Sequence, residues 1–271
     1  MKVSIVTISY NQANFLEQAI LSVINQDYHD IEYIIVDPGS TDNSSEIIEQ
    51  YREQVDKIIT EPDTGPAEGL NNGFAHATGD IYSFVNSDDY LLPGAIRAIV
   101  SAFQARPFKD VLSGNALIVD RAGTTLKKFY SRKFSAQRAV YGAATLPQQA
   151  TFFRAQCFRK SGGFNPSNHI AWDGEFWIDM ALCGCRFGRI KTFLAAFRLH
   201  QESITYTKHI SLEHYRYLES MFRKVQGRDS TFIDNVIRVS MKGLEYLENP
   251  LMLADRLLHG REIKTGIFQK S

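Results

Sequence analysis

The first hundred residues alternate between short apolar runs and segments whose apolar positions recur at helical spacing. VSIVTI (3–8) and IEYIIVD (31–37) are runs of strand length, as expected for strands buried on both faces. Between them Phe15, Leu16, Ala19, Ile20, Val23 and Ile24 fall on one helical face. The segment 41–53, TDNSSEIIEQYRE, opens on turn and acidic residues and predicts a helix capped by Asp42. A third strand is expected at 56–61, a helix entered through Pro66 at 66–77, and a fourth strand within IYSFVNSDDY (81–90). This alternation predicts a parallel sheet with right-handed crossovers.

Beyond it, Pro93 opens a helix over 93–107, and 110–134 reads as two strands turning near DRAGT. Periodicity fades over 135–170, where Gly162, Gly163, Asn165 and Pro166 mark loops. A helix is expected at about 173–184, short strands near 186–199, and a wholly helical region over 209–260. The expected fold class is α/β, a mostly parallel sheet flanked by helices, with a helical C-terminal extension.

Composition narrows the partners. Thirty basic residues balance thirty acidic ones, so no global field draws nucleic acid or anionic lipid. Cys157, Cys183 and Cys185 form no metal-ligand framework and are expected as reduced thiols of a cytoplasmic protein. Residues 1–8 read directly into a strand, so no signal peptide is expected, and no apolar run approaches the roughly 18 residues of a membrane span. Membrane contact is therefore expected to be peripheral at most.

Ligands of open parallel sheets bind at the carboxyl ends of the strands. Here those ends carry Thr7, Ser9, Tyr10 and Asn11, then Asp37, then Asp63, then Asn86, Asp88 and Asp89. The loop after the first strand, ISYNQANFLE, has no glycine, which excludes a dinucleotide fingerprint, and no P-loop motif exists. Carboxylates repel bare phosphate unless a divalent cation lies between them. Mg²⁺ or Mn²⁺ takes oxygen ligands and binds through one or two carboxylates plus substrate phosphates. The residues thus predict a nucleoside diphosphate site with a metal bridge, leaving Asp37 and Asp63 to accept from base or ribose.

Four segments, VSIVTISYNQANFLEQAILSVINQ, IEYIIVDPGSTDNS, EPDTGPAEGLNNGFAHATGD and NSDDYLLPGA, cover residues 3–95 almost continuously. In order and spacing they resemble family 2 glycosyltransferases of GT-A fold. The resemblance continues more thinly through LPQQATFFR, GGFN, AWDGEFWIDMALCGCRFGRI and FRLHQESIT, to about residue 205. It implies a catalytic domain over 1–205, with a nucleotide-sugar half (1–105) and an acceptor half (106–205), followed by a helical extension over 206–271. It also implies an inverting transfer from a nucleotide-diphosphate sugar, UDP-sugar foremost with dTDP or GDP as alternatives, to a glycan or lipid-linked acceptor in polysaccharide assembly.

Carried over residue by residue, the resemblance sets Thr7, Tyr10, Asn11 and Asp37 around the nucleotide base. Asp63, Asn71 and Asn86 lie along nucleotide and sugar. Asp88 would hold ribose or metal, with Asp89 and His200 as further metal ligands, and Asp173 would be the catalytic base. Asn86 stands where the family's first D-x-D acid is expected, Trp172 replaces a Glu before the base, and Pro38 replaces a common Gly.

Other readings of the same residues remain. Asp173 is also a natural N-cap, and His200 a hydrogen-bonded strand-end histidine. Gln148 and Gln149 are either substrate contacts or a polar loop. Trp172, Phe176 and Trp177 are either a sugar-stacking wall or core. The basic, amphipathic tail is either a peripheral membrane surface or a face packed on the catalytic domain or a sister subunit. A catalytically inactive module that binds nucleotide sugar is the alternative function.

Overall fold

In the computed structural model, residues 1–200 and 212–259 are described. The end of FRLHQESIT, the start of the expected tail helix and residues 260–271 lie outside the described residues. The predicted alternation is present in the first half: β1 (Val3–Ile8), α1 (Ala13–Ile24), β2 (Ile31–Val36), α2 (Ser44–Gln50), β3 (Lys57–Ile59), α3 (Pro66–Ala75) and β4 (Ile81–Asn86). β3, β2, β1 and β4 lie side by side in that order, all parallel. Helix α2 is shorter than its pattern suggested, because the chain tightens into a 3₁₀ turn at Arg52–Gln54.

The second half departs from a parallel sheet. It contains β5 (Tyr90–Leu91), α4 (Ala95–Ala105), β6 (Val111–Val119), β7 (Thr125–Phe129), α5 (Ala136–Val140), β8 (Thr151–Arg154), α6 (Ala155–Ser161), α7 (Trp172–Leu182) and β9 (Phe187–Arg198). β8 pairs antiparallel with both β4 and β6, while β6 and β9 run parallel. β5 closes the path as the antiparallel partner of β9. β4 and β5 are joined only by the 87–89 turn, yet three strands separate them in the sheet. So short a link spans at most ~14 Å, so the sheet must curl to bring its far edge back beside β4. The short strands expected near 186–199 are one strand, broken in register opposite Ser113–Ala116.

Both faces of the sheet are buried, which explains the unbroken apolar runs. Val3 and Ile5 pack with Leu16, Ile20, Ile96 and Phe103 under α1 and α4. Val6, Ile34 and Phe84 pack with Leu70, Phe74, Phe176 and Trp177 under α3 and α7. Helix α3 lies so close that a Cβ on Gly73 would meet Val6 at 2.5 Å.

The extension folds as α8 (Leu212–Gln226), α9 (Phe232–Glu248) and α10 (Pro250–His259). Phe222 is buried against the Tyr141 ring at 5.6 Å, and Asp234 accepts from the Tyr141 hydroxyl at 2.8 Å. Lys224 reaches Asp179 of α7 at 2.5 Å. These faces thus pack on the α/β unit, while Phe232, Val236, Val239 and Leu247 of α9 point outward. No described helix is long and apolar enough to cross a membrane, and the three cysteines are free thiols.

At the amino ends of the strands, Glu32 joins β2 to its neighbours. It accepts from Lys2 Nζ at 2.6 Å, Ser4 Oγ at 2.5 Å, and Thr78 N and Oγ1 at 2.7 and 2.6 Å. Burial alone would raise this carboxyl, but those donors outweigh it and hold it at about 2. A carboxyl depressed on folding stabilises the protein above its unfolded value and loses that contribution as pH falls through the folded one. Denaturation across pH should show stability declining from about pH 4.5 to about pH 2. Glu32→Gln should flatten that limb and cost about 1–3 kcal/mol at neutral pH.

Candidate active site

The carboxyl ends of β1 to β4 and of β9 meet on one edge of the sheet. At the end of β4 the amide of Asp89 donates to the carbonyl of Asn86 at 3.0 Å. This turn sends two adjacent acids to different places. Asp88 is at its tip, where Oδ2 lies 3.0 Å from Nε2 of His200. The two are 112 positions apart and meet because β5, just after the turn, pairs with β9, just before the histidine. His200 also packs on the ring of Phe15 from α1, centroids 4.8 Å apart.

Asp89 turns inward and is 1% exposed. Its Oδ2 accepts from Gln149 Nε2 at 2.6 Å and its Oδ1 from the Arg198 amide at 2.9 Å. Burial, with the charge of Asp88 added, pushes its carboxyl well above the ordinary range. Asp89, expected as a metal ligand, is placed as a buried tie between the turn, β9 and the segment before β8.

The remaining pair fits a divalent cation. Adjacent ligands of an octahedral ion, each ~2.1 Å from it, are about 3 Å apart, as Asp88 Oδ2 and His200 Nε2 are. No group of three or more His, Cys, Asp or Glu among the described residues is arranged to hold a metal. Two protein ligands suit an ion whose other positions are filled by diphosphate and water.

The other strand ends sort in the same way. Asp37 takes the amides of Gly39 and Ser40 on Oδ1 at 3.1 and 2.7 Å, and the Ser40 hydroxyl on Oδ2 at 2.8 Å. This shapes the β2–α2 loop and leaves one Oδ2 lone pair. Asn11, at φ 53°, accepts from Thr41 N at 2.7 Å and donates its amide to Ser40 Oγ at 2.8 Å. Tyr10 beside it is 59% exposed, an open ring face.

Burial, with the charges of Glu68 and Asp37, raises the Asp63 carboxyl, while the Gly65 amide opposes them. A Cβ at Gly69 would meet Asp63 Oδ2 at 2.7 Å, so this glycine makes room for the acid. Thr7 and Asn71, expected at the ligand, have partners within the protein. Thr7 is fully buried and accepts from the Tyr33 hydroxyl at 3.0 Å. The Asn71 amide closes a two-bond clasp with the backbone of Phe164, both bonds 2.8 Å.

Asp173 is in the first turn of α7, but that helix begins at Trp172 and Asp173 is not its cap. Asn168 Oδ1 gathers the amides of Ile170 and Ala171 at the helix entrance. Burial raises the Asp173 carboxyl, partly offset by its own amide and that of Gly174. A Cβ on Gly174 would lie 3.4 Å from Tyr217 Oη of α8. Trp172, Phe176 and Trp177 are buried in the aromatic core around Phe84 and Phe164, not a sugar-stacking wall. Asp42 bonds the starts of two helices, the expected one and a second: Oδ1 accepts from Ser44 N of α2 at 3.0 Å and Oδ2 from Ala13 N of α1 at 2.9 Å.

Arg198 went unnoticed in the sequence. It is buried, bonded to the carbonyls of Asp88, Asp120 and Arg121 and to Gln18, and stacked on Phe15 and Tyr90. The available signal was a lone arginine closing the apolar run FLAAFR.

The family model for Glycosyl transferase family 2 matches residues 4–162. An uncharacterized glycosyltransferase of Nostoc sp. is 34% identical over 74% of this chain, which spans 65% of that relative's length. Two solved structures share the fold. S. aureus TarS 1–349 in complex with UDP-GlcNAc has a TM-score of 0.68 at 19% identity, over 89% of this chain and 70% of that one. The mannosyltransferase PcManGT from Pyrobaculum calidifontis, in complex with GDP-Man and Mn²⁺, has a TM-score of 0.63 at 17% identity. That match covers 98% of this chain and 76% of the mannosyltransferase.

The split between adjacent acids is testable by melting. Asp89→Ala strands the Gln149 and Arg198 donors and should cost about 1–3 kcal/mol of stability. Asp88→Ala removes a 17% exposed side chain whose bond is to one ring nitrogen of His200, and should destabilise less than Asp89→Ala, which strands two donors.

Proposed function

The chain belongs to glycosyl transferase family 2, and from that membership we propose that it transfers a sugar from a nucleoside diphosphate to an acceptor hydroxyl. The transfer inverts the anomeric carbon and serves glycan or polysaccharide assembly, on a glycan or lipid-linked acceptor. The observation that carries the reading is the Asp88–His200 pair, 3.0 Å apart beside acidic strand ends. The structural neighbours in complex with UDP-GlcNAc and with GDP-Man and Mn²⁺ support a nucleotide-sugar donor and a divalent ion. UDP is the donor nucleotide favoured here.

The exposed Tyr10 ring would stack on the base, while Asp37 and Asp63 would accept from base or ribose. Asp88 and His200 would hold Mn²⁺ or Mg²⁺, which supplies positive charge for the departing diphosphate. Asp173 would accept the proton of the acceptor hydroxyl as its oxygen bonds to the anomeric carbon. The old bond to the diphosphate oxygen breaks, and its electron pair leaves with the diphosphate. Burial of Asp173 strengthens it as a proton acceptor, and a positioned base contributes ~10²–10⁴-fold. The domain division at 205 follows the same proposal, with α8 of the extension as a buttress for α7.

Donor turnover separates the transferase from an inactive nucleotide-sugar module, which would bind donor and turn over none. Asp173→Asn should leave nucleotide binding within about twofold and cut turnover at least ~10²-fold. In the wild type, kcat/KM should fall on the acid side at a pH above the ordinary Asp range, because burial raises this carboxyl. Near-normal turnover in the variant removes Asp173 as the base. Calorimetry checks the ion: Mn²⁺ should tighten UDP binding in the wild type and do so far less in Asp88→Ala. Equal Mn²⁺ response in both proteins would refute this assignment.

A further inference from the structure

We infer that Gln148, paired with Asn86, reads a hydroxyl of the donor sugar; this rests on the nucleotide-sugar reading above. Gln148 opens the 3₁₀ turn Gln148–Ala150 ahead of β8 and is only 8% exposed. Its Oε1 accepts from Asn86 Nδ2 at 3.4 Å. The two other amide ends, Gln148 Nε2 and Asn86 Oδ1, are buried without a hydrogen-bond partner. Reversing both amides exchanges the labels and changes nothing. In either orientation the pair makes one bond and leaves one donor and one acceptor.

That leftover combination calls for a group that both donates and accepts. A phosphate oxygen only accepts, and a metal ion satisfies no donor. A sugar hydroxyl accepts from one amide and donates to the other. The turn that carries Gln148 is itself rigid. Thr151 Oγ1 donates to the Pro147 carbonyl at 2.7 Å, and Gln149 grips Asp89.

Position selects the donor sugar. Asn86 pairs in register with Ile8, and Ile8 lies beside the Gly69 gap that admits Asp63. On the other side Asn86 is two residues from Asp88. A donor lying from Asp63 towards the Asp88–His200 pair carries its sugar past this amide pair. A site built to bond a hydroxyl rejects sugars that lack it or misplace it, because its buried amides are then stranded.

The test combines ligand-free melting with calorimetry in Mn²⁺, using UDP, GDP, UDP-GlcNAc, UDP-glucose and GDP-mannose as probes. Gln148→Met removes one unpartnered amide end together with the long 3.4 Å bond from Asn86; the two effects oppose, so the melting temperature should move little. Binding of the bare nucleotide should stay within about twofold. The ratio of nucleotide-sugar to nucleotide affinity should fall about tenfold or more for the sugar the wild type prefers. Gln148→Glu, which keeps an acceptor and loses the donor, should shift the ratio in the same direction.

An unchanged ratio in both variants overturns the inference, and a lowered melting temperature with it assigns Gln148 a structural role. A wild type that binds none of the five probes removes the nucleotide-sugar reading itself. Normal nucleotide binding with an unmoved ratio removes only the role of Gln148.

Discussion

A buried guanidinium must find acceptors for its five N–H groups, and the way Arg198 finds them organises this site. Its acceptors are the carbonyls of Asp88, Asp120 and Arg121 and the side chain of Gln18, with Phe15 and Tyr90 as stacking faces. One cation thereby joins α1, the turn after β4, the β6–β7 hairpin and the end of β9. Desolvating it without these partners would be far too costly to tolerate. Its satisfaction therefore fixes where the acid turn and His200 sit. Its charge also eases the crowding of Asp88 and Asp89, whose mutual repulsion is one cause of the raised Asp89 carboxyl.

The same logic divides the polar residues of the strand ends into two groups. Asp89, Thr7 and Asn71 are bonded within the protein. Asp88, Asp63 and Tyr10 are at least partly exposed, and Asn86 and Gln148 retain unused amide ends. Helix α7 carries its acids under a further restraint. Lys224 of α8 bonds Asp179 at 2.5 Å, and Asn168 with Lys224 holds Glu175. The extension is thus bound to the helix that presents Asp173, which gives it a physical reason to exist beside the catalytic fold.

Much of the first half was legible because strands buried on both faces and amphipathic helices leave local periodic signatures. β1, α1, β2, α3 and β4 are within a few residues of the expected ranges. The second half was harder to read. β8 has four residues and α5 has five, too short for a period to emerge. The antiparallel pairings of β8 and β5 unite segments tens of residues apart. Asp42 shows the limit at a single residue. Its type and position announce a bond at the start of α2, which it makes with Ser44, but nothing local announces the bond of its second oxygen to Ala13 of α1.

The sequence by itself determined the alternation of strands and helices, the acidic character of the strand ends, the absence of a phosphate-binding glycine loop and, through its motifs, the family. Those properties are local, written in periodicity and residue type. Which acid of a neighbouring pair stays at the tip of the turn and which is buried was decided only by the tertiary structure. Asp88 and Asp89 have the same side chain and adjacent positions. Their difference arises from Gln149, Arg198 and His200, which β8 and β9 deliver from sixty to more than a hundred residues away. Burial and hydrogen-bond satisfaction depend on such distant partners, and no local pattern carries them.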